Sequence, residues 1–146
     1  MSYLFKQKFN FSELVDLPTI QKTVLVVEPE SDLAQLYAGY LRASEFVVHC
    51  YDSLLQAHGA ALQIQPRALL LSVDGSQSQT RTMLHLREIK KDLPNLIVVT
   101  TGFSLPSQTL QQLMSTNISG HFDRRLGRPQ DIVHILNAIL NVSTKY

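Results

Sequence analysis

Short runs of consecutive apolar residues alternate along this chain with longer segments of helical period. The runs are TVLVV (23–27), FVVHC (46–50), ALLL (68–71) and LIVV (96–99), and a more polar one, GHFDRRL, follows at 120–126. Strands that are apolar at every position are typical of parallel sheets covered on both faces. This feature constrains the fold most, because parallel strands need a crossover helix between them.

The segments between and after these runs supply such helices. Each carries apolar residues three or four positions apart, which predicts an amphipathic helix. The segments are Leu33–Leu41, Leu54–Leu62, Met83–Leu93, Leu110–Met114 and Ile132–Leu140, the last starting after Pro129. The alternation predicts an α/β fold, a five-stranded parallel sheet with helices on both faces.

Composition excludes several classes of function. The chain has 146 residues, 13 Lys and Arg against 12 Asp and Glu, and a single cysteine, Cys50. A net charge of +1 gives no reason to expect nucleic acid or an anionic membrane as partner. The lone cysteine fits a reducing, cytoplasmic setting, and no apolar window is long enough for a signal peptide or a membrane span.

Polar residues follow the predicted strands where a ligand would bind. In open α/β sheets, ligands bind outside the carboxyl ends of the strands. The segments at those ends are Glu-Pro-Glu (28–30), Ser-Val-Asp (72–74), Thr-Thr-Gly (100–102) and Arg128-Pro129.

With these residues in place, the chain from about Lys22 to Leu140 resembles the receiver domain of two-component response regulators. The resemblance rests on the order of the elements, on VLVVEPESD, on LIVVTTG, and on a basic residue followed by proline before the last helix. It implies a flavodoxin-like (CheY-like), doubly wound fold over residues 22–142, with an extension at 1–21 and a tail at 143–146. In this family a histidine kinase phosphorylates an Asp after the third strand, and an acidic pair after the first strand holds Mg²⁺.

The residues that would carry this chemistry are altered here. Glu28 falls on the first acid of the pair, Pro29 on the second, and Glu30 follows it. Ser72 falls on the phospho-acceptor, and a serine hydroxyl without a base is a weak nucleophile. The resemblance therefore implies a degenerate site, a pseudo-receiver, and Mg²⁺ binding is not expected. A solvated loop that caps the next helix is the alternative role for Glu28 and Glu30.

The family has a threonine or serine and a lysine that contact the phosphate, and this sequence has similar residues at some of those positions. Thr100 falls on the family's switch threonine, with Thr101 as the alternative if the register shifts by one. Arg128 stands where the family has a lysine after the fifth strand, which keeps the charge and changes its shape. The family's aromatic switch residue maps near Arg125, so that feature is expected to be absent.

Asp74 is the other candidate acceptor. Side chains repeat every two residues along a strand, so Asp74 would share the orientation of Ser72 if the strand continued. Two residues advance the chain by about 6–7 Å, which puts Asp74 too far along to share a metal with Glu28. Asp before Gly is also a common turn pair, and we expect a turn here.

Two further groups of residues are candidates for binding. Arg124, Arg125 and Arg128 lie close enough in sequence to hold a phosphate or an acidic partner, or to form a solvated, charged edge. The histidines show no metal-ligand spacing on a common face, and no pair of them is expected to bind a metal: His49, His58, His85, His121 and His134. No G-x-S-x-G elbow, Walker loop or G-x-G-x-x-G motif is present.

The sequence thus predicts a non-enzymatic, stand-alone signalling module that contacts a protein partner, or a second copy of itself, without phosphorylation. The last two helices and the fifth strand are the expected surface. Aromatic residues in the extension (Tyr3, Phe5, Phe9 and Phe11) suggest a second contact, either with the parent domain or with a partner. The alternatives are phosphorylation at Asp74 with Mg²⁺, and a small-anion or nucleotide sensor built on the three arginines.

Overall fold

Five strands form one parallel sheet in the computed structural model, which describes residues 22–73 and 79–144. In chain order they are β1 (Thr23–Val27), β2 (Val47–Tyr51), β3 (Ala68–Ser72), β4 (Ile97–Gly102) and β5 (Gly120–Asp123). Across the sheet they run β2-β1-β3-β4-β5, and each neighbouring pair is parallel. The strand order reverses between β1 and β3, which places the topological switch point at their carboxyl ends.

Helices connect consecutive strands, and one follows the last. They are α1 (Ser31–Ala43), α2 (Leu54–Ile64), α3 (Gln79–Asp92), α4 (Ser107–Met114) and α5 (Asp131–Thr144). This confirms the predicted α/β fold with helices on both faces. The segments with helical period all form helices because each buries its apolar stripe against the sheet.

The central strands divide their side chains between two cores. One core packs alternate strand residues such as Val26 and Leu70 against Tyr37 of α1 and Leu136 of α5. The other packs the intervening residues, such as Leu25, against α2, α3 and α4. Every residue of β1 is buried, as the all-apolar run predicts.

The fifth strand is shorter than the sequence indicates. It ends at Asp123, and the side chain of this residue accepts a hydrogen bond of 2.9 Å from the backbone N–H of Arg125. The Leu126 N–H then donates to the Asp123 carbonyl at 3.0 Å. An aspartate that bonds the backbone two residues on is a turn former, so the chain turns before Arg124 and Arg125 can extend the strand.

None of the helices in the described part of the chain has the length and apolarity needed to cross a bilayer. The aromatic residues of segment 1–21 lie outside the described residues, and so does Asp74.

Candidate functional site

The carboxyl ends of the three central strands bring three polar residues to the middle of one edge of the sheet. Glu28 directly follows β1, Ser72 ends β3, and Thr101 is the register partner of Ser72 on β4. Alternation along the strands puts all three on the sheet face covered by α1 and α5.

Glu28 is a buried carboxylate, only 5% exposed. Its Oε2 accepts a hydrogen bond of 2.8 Å from the backbone N–H of Glu30. Its Oε1 lies 3.6 Å from Nη1 of Arg124 and has no hydrogen-bond partner among the described residues. The side chains of Pro29 and Glu30 are exposed, so of the three residues only Glu28 is buried at the site.

Arg124 supplies the positive charge at this edge. It is the first residue after β5, and its backbone N–H donates to the Gly102 carbonyl at 2.8 Å. This hydrogen bond fixes the backbone of Arg124 next to the end of β4, and its side chain extends to Glu28. The Arg124 side chain is 26% exposed. Arg128, four residues after Arg124, has a side chain that is 73% exposed and contacts Asp131 rather than Glu28.

The position after the fifth strand thus holds Arg124, where the sequence had suggested Arg128. Arg128 was suggested because Pro129 follows it, whereas β5 ends at Asp123, before the predicted end at residue 126. The signal that could have corrected this is Asp123, a turn-favouring residue inside the predicted strand.

Thr100 and Thr101 point to opposite faces of the sheet, and both are fully buried. Thr101, which the sequence analysis gave as the alternative to Thr100, is the register partner of Ser72. Thr100 lies on the other face, where its Oγ1 is 2.7 Å from Nδ1 of His121, its register partner on β5. His121 was missed as a site residue because its relation to Thr100 depends on strand pairing.

Tyr37 of α1 lies near Glu28, Thr101 and Arg124, and these four residues form a polar cluster at the sheet edge. Burial raises the pKa of the Tyr37 hydroxyl, while the nearby Arg124 guanidinium and Thr101 hydroxyl oppose that rise. These groups lie close together, yet neither Tyr37 Oη nor Thr101 Oγ1 reaches hydrogen-bond geometry with another described residue. The cluster therefore contains buried polar atoms of Tyr37 and Thr101 next to the partly exposed Arg124 guanidinium.

The three arginines do not form one open anion site. Arg124 faces Glu28, Arg125 binds Asp123 with an Nη2–Oδ2 distance of 3.0 Å, and Arg128 lies 3.7 Å from Asp131. The hydrogen bonds from Arg125 lower the pKa of Asp123 to about 2. Each guanidinium is therefore matched by a carboxylate.

The residues present do not fit the magnesium ion that the receiver resemblance implies. Mg²⁺ is held by oxygen ligands, chiefly carboxylates, in octahedral geometry. Here Pro29 and Ser72 offer no carboxylate, and the free oxygen of Glu28 faces the cation of Arg124. No group of three or more His, Cys, Asp or Glu residues converges on a common metal position within 22–73 and 79–144.

A cleft of about 310 Å³ opens beside this site, between the start of α1 and the end of β2. It is lined by Glu28, Pro29, Gln35, Cys50 and Asp52, among others. Burial raises the pKa of the Cys50 thiol, which keeps it protonated and weakly reactive.

No family model and no curated protein sequence matches this chain. Solved structures of response regulators do match it. A response regulator from Thermotoga maritima aligns with a TM-score of 0.74 at 12% identity, over 84% of this chain and 99% of that one.

An orphan response regulator of H. pylori aligns with a TM-score of 0.72 at 14% identity, over 81% of this chain and 95% of that one. An atypical orphan response regulator with a phosphorylation-independent regulatory mechanism aligns with a TM-score of 0.70 at 14% identity, over 82% and 95%. Together with the strand order, these matches establish that the chain has the CheY-like, flavodoxin-like fold of response-regulator receiver domains.

Proposed function

We propose that this protein is a pseudo-receiver: a non-enzymatic, cytoplasmic signalling module that acts through protein–protein contacts and needs neither phosphorylation nor Mg²⁺. The observation that carries the proposal is the Arg124 guanidinium set against the buried Glu28 carboxylate. A receiver needs a metal ion to neutralise its acidic residues during phosphoryl transfer. Here a side chain supplies that positive charge, and the acceptor position holds Ser72.

One of the similar structures lends support to this proposal. The atypical orphan response regulator has a phosphorylation-independent mechanism and the same fold. A module of this kind signals through a fixed surface, because its site no longer switches between two charge states.

We place the contact surface around α4, β5 and α5, and we propose a second copy of the chain as its first occupant. Large apolar side chains are exposed in this region: Phe103 (62%), Met114 (52%) and Leu126 (81%). Large exposed apolar side chains of this kind are candidates for an interaction surface.

The site is tested by NMR titration of the full chain with Mg²⁺, followed by beryllofluoride, a mimic of the acyl phosphate. The proposal expects no saturable shift at Glu28, Ser72 or Thr101. Saturable shifts that disappear in Asp74→Asn would overturn it in favour of phosphorylation at Asp74. A thermal-shift panel of nucleotides and phosphometabolites tests the anion-sensor alternative, which predicts a response lost in Arg124→Gln.

The surface is tested separately by light scattering over a range of concentrations. A dimer that is weakened in Met114→Lys and unchanged in Leu55→Lys would support the proposed face. Leu55 is the matched control, since it is 74% exposed on α2. Equal dimerisation in both variants, or a monomer throughout, would count against self-association through α4, β5 and α5.

A further inference from the structure

A pair of histidines that are 27 residues apart in sequence meets between α2 and α3. Nδ1 of His58 lies 3.0 Å from Nε2 of His85, with the ring planes tilted by 57°. Nε2 of His58 lies 2.9 Å from Oδ2 of Asp92. No sequence pattern pairs these histidines, because only the packing of α2 against α3 brings them together.

The carboxylate fixes the tautomer of His58. An ionised Asp92 only accepts hydrogen bonds, so Nε2 of His58 carries the hydrogen. In neutral His58 the lone pair is then on Nδ1, directed at His85. In the protein without metal, the N–H at Nε2 of His85 donates a hydrogen bond to that lone pair. When the hydrogen is on Nδ1 of His85 instead, Nε2 of His85 has a lone pair of its own and can bind a metal ion.

We propose that His58 and His85 form a binding site for a late first-row divalent cation such as Zn²⁺, with Asp92 as the positioning residue for His58. A carboxylate on the far nitrogen of a ligating histidine orients the ring and raises its basicity in many metal sites. Water molecules complete the coordination shell, because the described residues offer two direct ligands here.

The geometry is close to what such an ion needs. Zn–N bonds of 2.0–2.1 Å in a tetrahedral shell separate two ligating nitrogens by about 3.3 Å. The observed 3.0 Å therefore has to open by only a few tenths of an ångström, and both rings have to turn so that their lone pairs converge on the ion. The site is reachable from solvent, since the side chains of His58 and Asp92 are 18% and 48% exposed.

Negative charge beside the pair favours a cation there. Asp92 contacts His58 and lies on the same helix as His85. Glu88 is on that helix too, but it lies 3.8 Å from Lys91, so Asp92 is the main negative charge next to the pair. Metal ions bind the unprotonated ring, so the titration is made above the ordinary pKa of histidine.

The test is calorimetric titration of the full, untagged chain with Zn²⁺ at pH 7.5. The wild type is expected to bind one equivalent. His58→Gln and His85→Gln should each weaken binding at least tenfold, and Asp92→Asn should weaken it by about 10–100-fold. His49→Gln and His134→Gln are the matched controls, because both histidines are exposed and belong to other elements, β2 and α5.

Thermal unfolding in the absence of metal shows whether each variant folds. If a glutamine variant does not fold, His58→Asn or His85→Asn is used in its place. Resonances of α2 and α3 should shift together as Zn²⁺ is added. Equal affinity in the wild type and in both histidine variants would overturn the proposal, and so would an absence of saturable binding. The pair would then be a hydrogen-bonded clasp between two helices.

Discussion

The buried Glu28 carboxylate depends on one neighbour for charge compensation. A carboxylate that is 5% exposed is costly to keep ionised unless a cation or several donors face it. Glu28 has one backbone N–H donor, from Glu30, and the Arg124 guanidinium at 3.6 Å. Removing the guanidinium leaves a poorly compensated buried charge beside Tyr37 and Thr101.

Arg124→Met is therefore expected to lower the free energy of unfolding. Breaking a fully buried ion pair costs about 3–5 kcal/mol, and the partial exposure of Arg124 reduces the expected loss to about 2 kcal/mol. Denaturant unfolding at pH 7.5 measures it. Arg125→Met is the control and should leave the free energy nearly unchanged, since its partner Asp123 is paired at the surface. Equal effects of the two changes would contradict the role given to Arg124.

At the scale of single residues, the sequence located the site only in part. Glu28 and Ser72 were found because apolar runs mark where buried strands end. No local signal distinguished Thr100 from Thr101, because that choice depends on strand register. Arg124 was not considered for the basic position after β5, although the turn-favouring Asp123 is a local signal for the end of that strand.

Two glycines in different elements should respond in opposite ways to alanine. Gly59 lies in the middle of α2, and a Cβ built there meets nothing within 4 Å. Alanine has less conformational entropy than glycine in the unfolded chain and a higher helix propensity. Gly59→Ala is thus expected to raise the free energy of unfolding by about 0.5–1 kcal/mol, measured by denaturant unfolding. A loss of stability would show that the surroundings of α2 are tighter than the structure indicates.

Gly127, between β5 and α5, is required by close packing. A Cβ at this position would lie 2.5 Å from Cε1 of Phe122, a core residue that is 5% exposed. Gly127→Ala must displace the Phe122 ring, and overpacking of this kind costs about 1–3 kcal/mol. The same unfolding experiment measures the loss, and Gly39→Ala, with nothing within 4 Å, provides a second unstrained control. An unchanged stability would mean that the loop after β5 moves to accept the methyl group.

At the scale of elements, local pattern predicted what each segment becomes. The strands and helices follow from the spacing of apolar residues, a pattern that is contained within each short segment of the sequence. The end of β5 differed from the prediction because the side chain of Asp123 competes with the sheet for the backbone of Arg125.

For the molecule as a whole, the half-buried His121 at the β4–β5 pairing makes stability depend on pH. Burial lowers the pKa of His121, and Asp123 partly opposes this. The unfolded chain, with a histidine pKa near 6.5, then takes up a proton before the folded one does. The contribution of His121 is complete above about pH 6.5 and is lost as the pH falls from there toward the folded-state pKa.

We expect the free energy of unfolding of the wild type to fall between pH 7.5 and pH 5.5, and to fall less steeply in His121→Gln. Denaturant unfolding at several pH values compares the two slopes, with the exposed His134→Gln as control. Equal slopes in all three proteins would show that His121 does not couple protonation to folding.

The sequence by itself determined the kind and order of the elements, the parallel sheet and its two covered faces. These depend on apolar periodicity, which is a local property of the chain. Tertiary structure decided which side chains meet: Thr101 beside Ser72, Arg124 against Glu28, and His58 with His85. Each of these pairs is separated by more than 25 residues, so its contact depends on strand register and helix packing, which no local pattern specifies.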